Sequence, residues 1–130
     1  MKPLRNMRSM IRLIIEGDRK IPMKKNLMRV KGNRVYKPQE VKHFETWLAW
    51  TAAAAMKEQG WRTTDKPVKF SLDVVFGDKR KRDLQNCFAS VCDALNNIVY
   101  VDDCQIKVLA ASKEYIKGEW SFILEIEEIE

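Results

Sequence analysis

Three features that decide the fold of this chain lie in residues 68–97, VKFSLDVVFGDKRKRDLQNCFASVCDALNN. Residues 68–76 alternate apolar and polar side chains, which predicts a strand with one covered face. A basic run at 79–82 follows the break at Gly77-Asp78. Apolar residues then recur at three- and four-residue spacing, which predicts a helix that begins at Asp83 and ends near Asn96.

The flanking sequence predicts three more strands, a two-armed hairpin and one more helix. The expected elements are a strand at 11–15, a hairpin with arms at 27–31 and 34–36, a helix at 38–59, and strands at 106–111 and 120–126. This order predicts a small single α/β domain with a mixed sheet and two main helices. Residues 16–25 are expected to form a loop, and residues 1–10 and 127–130 to be poorly ordered.

The composition is that of a soluble globular protein, with 130 residues, 45% of them hydrophobic and 32% charged. No apolar run approaches the ~18 residues of a membrane span, so no membrane partner is expected. The basic N-terminal segment lacks the apolar stretch and cleavage site of a secretory signal. The cysteines fit no metal or disulfide pattern, which favours reduced thiols and a cytoplasmic location; they are Cys87, Cys92 and Cys104.

Charge is distributed unevenly along a chain whose net charge is +6. Residues 1–37 contain 12 basic and two acidic side chains, whereas residues 83–130 contain three basic and ten acidic ones. A basic half favours a polyanion such as nucleic acid as the partner, although many basic proteins bind none. The basic run is either a solvated loop or part of a phosphate-binding surface.

Acidic residues supply two candidate positions for chemistry. Asp83 directly precedes the second helix, where a carboxylate either caps free N–H groups or binds a metal ion at a strand-to-helix junction. Asp102 and Asp103 lie between apolar runs, where they form a solvated turn or bind a cation. In a strand-like segment the two would point to opposite sides. Basic residues that bind a DNA backbone beside carboxylates that hold Mg²⁺ suit a nuclease.

Other features of the chain favour structural roles. The polar face of the second helix includes Asn86, Ser90 and Asp93, for which solvent exposure is the simplest explanation. His43 has no cysteine partner nearby and is expected to be structural or on the surface. The chain contains no glycine-rich phosphate loop and no nucleophile elbow.

Three sequence blocks resemble the RusA family of Holliday-junction resolvases: RDLQN at 82–86, DALN at 93–96 and YVDDCQI at 100–106. The resemblance implies a RusA-like fold and a Mg²⁺-dependent endonuclease, with Mn²⁺ as a substitute, that cuts four-way DNA junctions as a homodimer. By position, Asp83 and Asp103 match catalytic aspartates of the family, and Asp102 lies beside the second. Asn86 and Asp93 match supporting positions.

Two departures from the family pattern affect the implied metal site. Gln85 replaces a second aspartate and Ala89 replaces a lysine. Gln85 offers a carbonyl oxygen but no charge to Mg²⁺, which favours anionic oxygens. The implied metal ligands are Asp83, Gln85 and Asp103. The implied DNA-binding residues are Lys79, Arg80, Lys81, Arg82, Lys24, Lys25, Asn26 and Arg29.

Two alternatives remain at this point. The departures at Gln85 and Ala89 are consistent with a non-catalytic branched-DNA binding protein on the same fold. A basic RNA-binding domain is the weaker alternative, because no ribonucleoprotein aromatic motif is present.

Overall fold

The computed structural model describes residues 12–22, 29–31, 34–36 and 39–129. Its elements in chain order are β1 (Arg12–Gly17), β2 (Arg29–Lys31), β3 (Arg34–Tyr36), α1 (Gln39–Gln59), β4 (Val68–Phe76), α2 (Leu84–Leu95), a 3₁₀ helix (Asp103–Gln105), β5 (Ile106–Tyr115) and β6 (Ser121–Glu128). The predicted α/β domain with a mixed sheet and two main helices is confirmed.

The main sheet has four strands in the order β1-β6-β4-β5, and β2 pairs with β3 in a separate hairpin. β4 is antiparallel to β6 and parallel to β5. Parallel neighbours need a crossover, so α2 runs back along the sheet between β4 and β5. As a result, α2 begins at the Phe76 end of β4 and ends near Val68.

One face of the sheet is covered by both helices. The alternation predicted for β4 is confirmed, because Val68, Phe70 and Leu72 are fully buried while Asp73 is exposed. Aromatic rings from α1 and β6 pack in edge contacts, with Trp47 and Phe122 centroids 6.0 Å apart. This contact packs α1 against β6.

Strand pairing extends β1 and β5 beyond their predicted ends. β1 continues through Glu16, which was expected in a loop, because Gly17 pairs with Phe122. A Cβ atom at Gly17 would collide with the Phe122 ring, which explains glycine there. β5 continues to Tyr115, opposite Phe76, because pairing with β4 runs its whole length.

The expectation of a frayed C-terminal tail is wrong for residues 127–129. Glu128 pairs with Val68 in the sheet. Its Oε2 accepts a hydrogen bond from Thr64 Oγ1 at 2.5 Å, and the Ile129 N–H donates to Pro67 O at 2.9 Å. Residues 1–10 and 130 and the predicted hairpin turn at 32–33 lie outside the described residues.

Neither helix of the described ranges is long and apolar enough to cross a membrane.

Candidate active site and nucleic-acid interface

Asp83 is the N-cap of α2. Its backbone is extended, with φ −98° and ψ 117°, and its Oδ1 accepts a hydrogen bond from the Gln85 N–H at 2.8 Å. The capping role expected from the sequence is therefore confirmed, and such a cap is worth about 1 kcal/mol. Because the cap uses Oδ1 and the side chain is exposed, Oδ2 remains accessible to a cation.

The two departures from the family pattern are neighbours on α2. Gln85 and Ala89 are four residues apart, so they share one face of the helix. Both are exposed. An acid and a lysine at these positions would form an ion pair beside Asp83, and this chain has neither charge.

Asp102 and Asp103 lie in a turn, as one of the two sequence interpretations proposed, and not in a strand. Asp103 is the first residue of the 3₁₀ helix, and both side chains are exposed. The Asp102 N–H donates to Gln105 Oε1 at 2.9 Å. Gln105 Nε2 donates to Thr64 O and Lys66 O, each at 2.9 Å. Gln105 thus fixes the turn against the segment that leads into β4.

The acidic turn shows electrostatic crowding at one carboxyl group. Loss of solvation raises the pKa of Asp103, and the neighbouring charges of Asp102 and Asp93 raise it further. The pKa of Asp102 is lowered instead, chiefly by a hydrogen bond from Cys104. Asp93, from the last turns of α2, is therefore near Asp103.

The first and last motif aspartates lie at opposite ends of the sheet within one chain. Asp103 precedes Ile106, which pairs with Val68, whereas Asp83 follows Phe76. Lys113, near the far end of β5, donates from Nζ to the Arg82 carbonyl oxygen at 3.2 Å. Between the two aspartates, α2 rises about 18 Å over its 12 residues. Across residues 12–22, 29–31, 34–36 and 39–129, no group of three or more His, Cys, Asp or Glu side chains is arranged to hold a metal ion.

The basic loop before Asp83 is organised by one of its own residues. Arg82 forms a two-pronged ion pair with Asp78, whose Oδ2 is 3.1 Å from Nη2. This hydrogen bonding is the main reason why the pKa of Asp78 is lowered. Asp78 Oδ1 also accepts from the Arg80 N–H at 3.0 Å. Arg82 therefore anchors the loop, while Lys79, Arg80 and Lys81 are exposed.

A second basic segment that the sequence analysis did not single out lies against this loop. Arg19 and Lys20 follow β1, and Lys20 Nζ lies 4.3 Å from the centroid of the Trp120 ring. Arg82 lies over the same ring at 5.0 Å. The two segments border a cleft of about 550 Å³. The sequence feature that could have indicated this segment is the pair of adjacent cationic residues, Arg19 and Lys20, in the predicted loop 16–25.

Ser90 helps to position that segment. It was expected on the exposed face of α2, but it is fully buried. Its hydroxyl donates to Pro22 O at 2.7 Å and lies 3.2 Å from Asn86 O. The segment after β1 covers Ser90, so its burial depends on a contact 68 residues away in the chain.

The remaining predicted residues are placed as follows. Asn86 is half-buried and Asp93 is exposed. Lys24, Lys25 and Asn26 lie outside the described residues, as does the side chain of Arg29, whose backbone begins β2.

Cys87 and Cys92 are core thiols, as predicted. Both are buried, and burial raises their pKa values to about 11 and about 12. They remain protonated at neutral pH and supply no thiolate to a metal ion or a nucleophilic step.

The motif blocks resemble those of an endodeoxyribonuclease class, and a comparison with protein-family models shows that class. The model described as Endodeoxyribonuclease RusA matches residues 19–126. The chain therefore belongs to the RusA family, which consists of Holliday-junction resolving endonucleases. A curated relative, the Crossover junction endodeoxyribonuclease RusA of Aquifex aeolicus (strain VF5), is 25% identical over 107 residues, which cover 82% of this chain and 82% of the relative.

Proposed function

We propose that this chain is a Mg²⁺-dependent endonuclease that cuts four-way and other branched DNA in recombination and repair, in the cytoplasm, with Mn²⁺ able to replace Mg²⁺. The observation that carries the proposal is the position of Asp83. It is exposed, it caps α2 through one oxygen only, and it directly follows the basic loop. A carboxylate beside exposed cations can approach a phosphodiester, whereas an isolated one would repel it.

DNA binding is assigned to the exposed cations of the loop. Lys79, Arg80 and Lys81 have no ion-pair partner in the part of the chain that the structure describes. Arg82 is already paired with Asp78. The loop thus presents three charges to a phosphate backbone and uses the fourth to hold its shape.

The oxygen atoms of the proposed ligands suit a hard divalent cation, although one copy of the chain does not bring Asp83 and Asp103 together. Asp83 offers one carboxylate oxygen that the helix cap does not use, and Gln85, two residues later, offers an exposed amide carbonyl oxygen. Asp103 is a carboxylate that is repelled by the nearby carboxylates of Asp102 and Asp93. A nearby cation would relieve that repulsion. When bound, Mg²⁺ supplies activation of water and neutralisation of charge at the scissile phosphate. The chain's own part is to hold these oxygens in place through the α2 cap and the Gln105 hydrogen bonds.

A homodimer would bring Asp83 of one copy near Asp103 of the other, although the two residues are far apart within one chain. No described strand pairs with the outer edge of β5, and β5 has exposed apolar residues, among them Val108 and Leu109. A two-fold axis normal to the sheet would pair β5 with its own copy in antiparallel fashion. This pairing brings the Asp103 end of one copy to the end at which the other copy holds Asp83. We assign each metal site to both copies for this reason.

A second candidate function is a non-catalytic branched-DNA binding protein. The observation that favours it is the pair of neutral residues at Gln85 and Ala89, which leaves the site one acid and one lysine short of the family pattern. Metal-dependent cleavage separates this candidate from the first.

The direct experiment incubates a labelled four-way junction with the protein and Mg²⁺ or Mn²⁺, followed by sizing of the products. Symmetric cuts near the branch point are expected. Asp83→Asn should abolish them and retain junction binding. The matched control is Asp73→Asn, because Asp73 is exposed on the sheet face opposite the helices and binds Ser112 Oγ. Binding without metal-dependent cuts by the unmodified protein would instead support the second candidate.

A further inference from the structure

The cleft beside the basic loop is built from four parts of the chain. They are the segment after β1, the first turns of α1, the basic loop and the residue before β6. The lining residues on which the argument depends are Arg19, Lys20, Arg80, Lys81, Arg82 and Trp120. The cleft is thus a product of the tertiary fold and does not follow from any one sequence motif.

The cleft is strongly positive. Among the described residues, five cationic side chains line it, against the single carboxylate of Glu40. Arg82 is neutralised by Asp78, and Arg19 lies over the Trp47 ring at 4.1 Å. Arg80 and Lys81 remain exposed at the rim. An anionic ligand is therefore favoured.

The size and the apolar surfaces point to more than a phosphate. A volume of about 550 Å³ lies in the range of sites that hold drug-sized molecules, roughly 300–1,000 Å³. Trp120 provides a half-buried aromatic ring with Lys20 and Arg82 over it, whereas Phe44 is buried and forms part of the cleft wall. Aromatic faces bind nucleobases by stacking, while cations bind the phosphates.

We propose that this cleft binds one unpaired nucleotide of the DNA strand that passes Asp83, with the phosphate at Arg80 and Lys81 and the base against the Trp120 side. The location follows from covalent continuity, because Arg82 lines the cleft and directly precedes Asp83. The inference rests on the proposed function, in which this end of α2 faces the DNA backbone.

An unpaired nucleotide links the cleft to selectivity for branched DNA. A base within a duplex is stacked and paired, so it enters a cleft only after it has been unstacked, at a cost in free energy. Bases at a branch point are more easily unpaired. A cleft that binds an extruded nucleotide therefore increases affinity for branch points over continuous duplex, and it does so without contacts that distinguish one base from another.

The test uses four-way junctions in which a single abasic residue is placed at successive positions around the branch, with binding measured without divalent metal. One position should weaken binding by the unmodified protein about tenfold, because the stacking of one base is lost. Lys20→Gln should reduce that position-specific loss, since it removes one of the cations that hold the phosphate of the extruded nucleotide in the cleft. Lys57→Gln is the matched control, on an exposed position in the last turn of α1.

Equal binding of all abasic junctions, with normal binding of the intact one, would overturn the proposal. A second arm separates this failure from a failure of the proposed function. Thymidine monophosphate should quench tryptophan fluorescence saturably, and Trp120→Phe should remove that quenching. If the protein binds no junction but shows this quenching, the nucleotide site stands and the junction assignment fails. Quenching by inorganic phosphate at the same concentrations, or none by the nucleotide, would contradict a nucleotide site.

Discussion

The side-chain amide of Gln105 donates a hydrogen bond to the carbonyl oxygen of Thr64, 2.9 Å away and 41 residues earlier in the chain. A second donation to Lys66 O and an acceptance from the Asp102 N–H complete the set. The turn that contains Asp103 is consequently tied to the segment before β4, although its side chains are exposed.

Gln105→Leu should reduce cleavage far more than junction binding, because Asp103 would lose its fixed position. The matched control is Gln59→Leu. Gln59 makes the same kind of contact, with the N–H of Ile14 at 2.9 Å and its carbonyl oxygen at 2.7 Å, at the end of α1. Both variants should lose on the order of 1–3 kcal/mol of unfolding free energy in denaturant titrations. Equal cleavage by the two variants would show that Gln105 has only a structural role.

The Asp78–Arg82 ion pair predicts a pH dependence of stability. Hydrogen bonding to Arg82 lowers the pKa of Asp78 in the folded state below the ordinary value of 3.8. The pair therefore stabilises the fold above that ordinary value, and this contribution is lost as pH falls through the lowered pKa. Thermal melts between pH 2 and 6 should show a smaller acid-induced decrease in Tm for Asp78→Asn. An identical decrease in both proteins would remove Asp78 from the acid response.

The basic loop predicts a salt-dependent affinity for DNA. Each phosphate contact adds about −0.9 to the slope of log affinity against log salt. Changing Arg80 and Lys81 together to glutamine should flatten that slope by about two contacts, whereas Lys57→Gln should leave it unchanged. An unchanged slope in the double variant would place the loop outside the DNA interface.

The exposed positions of Gln85 and Ala89 make a gain of function testable. Gln85→Asp should strengthen Mg²⁺ binding and increase cleavage, because the site gains an anionic oxygen beside Asp83. Adding Ala89→Lys restores the neighbouring cation at the i+4 position. Cleavage rates across a Mg²⁺ titration decide the outcome. Cuts that arise only in the double variant would indicate that the natural chain binds junctions without cutting them.

Local pattern was enough to predict β4 and α2. Each of these elements buries one face, so its apolar residues recur with the period of the element: two in residues 68–76, and three or four after Asp83. The sequence therefore shows which face is buried. The N-cap role of Asp83 follows in the same way from its position before the apolar stripe.

Tertiary pairing determined what the sequence analysis missed. β5 reaches Tyr115 because it pairs with β4 along its whole length, and the hydroxyl of buried Ser90 donates a hydrogen bond to Pro22 O, 68 residues away in the chain. The spacing of the motif blocks does not encode the direction of α2, so it could not reveal that Asp83 and Asp103 lie at opposite ends of the sheet. Arg19 and Lys20 join the basic loop through the same long-range packing.

The measurement that tests the shared metal site most directly mixes two inactive variants, Asp83→Asn and Asp103→Asn, and assays a labelled four-way junction with Mg²⁺. Each variant alone should be inactive, and the unmodified protein should cut. In a mixed dimer, one site receives both substitutions and the other receives neither, so the mixture should recover cleavage as single-strand nicks. A mixture as inactive as either variant, with full cutting by the unmodified protein, would contradict a site built from two copies.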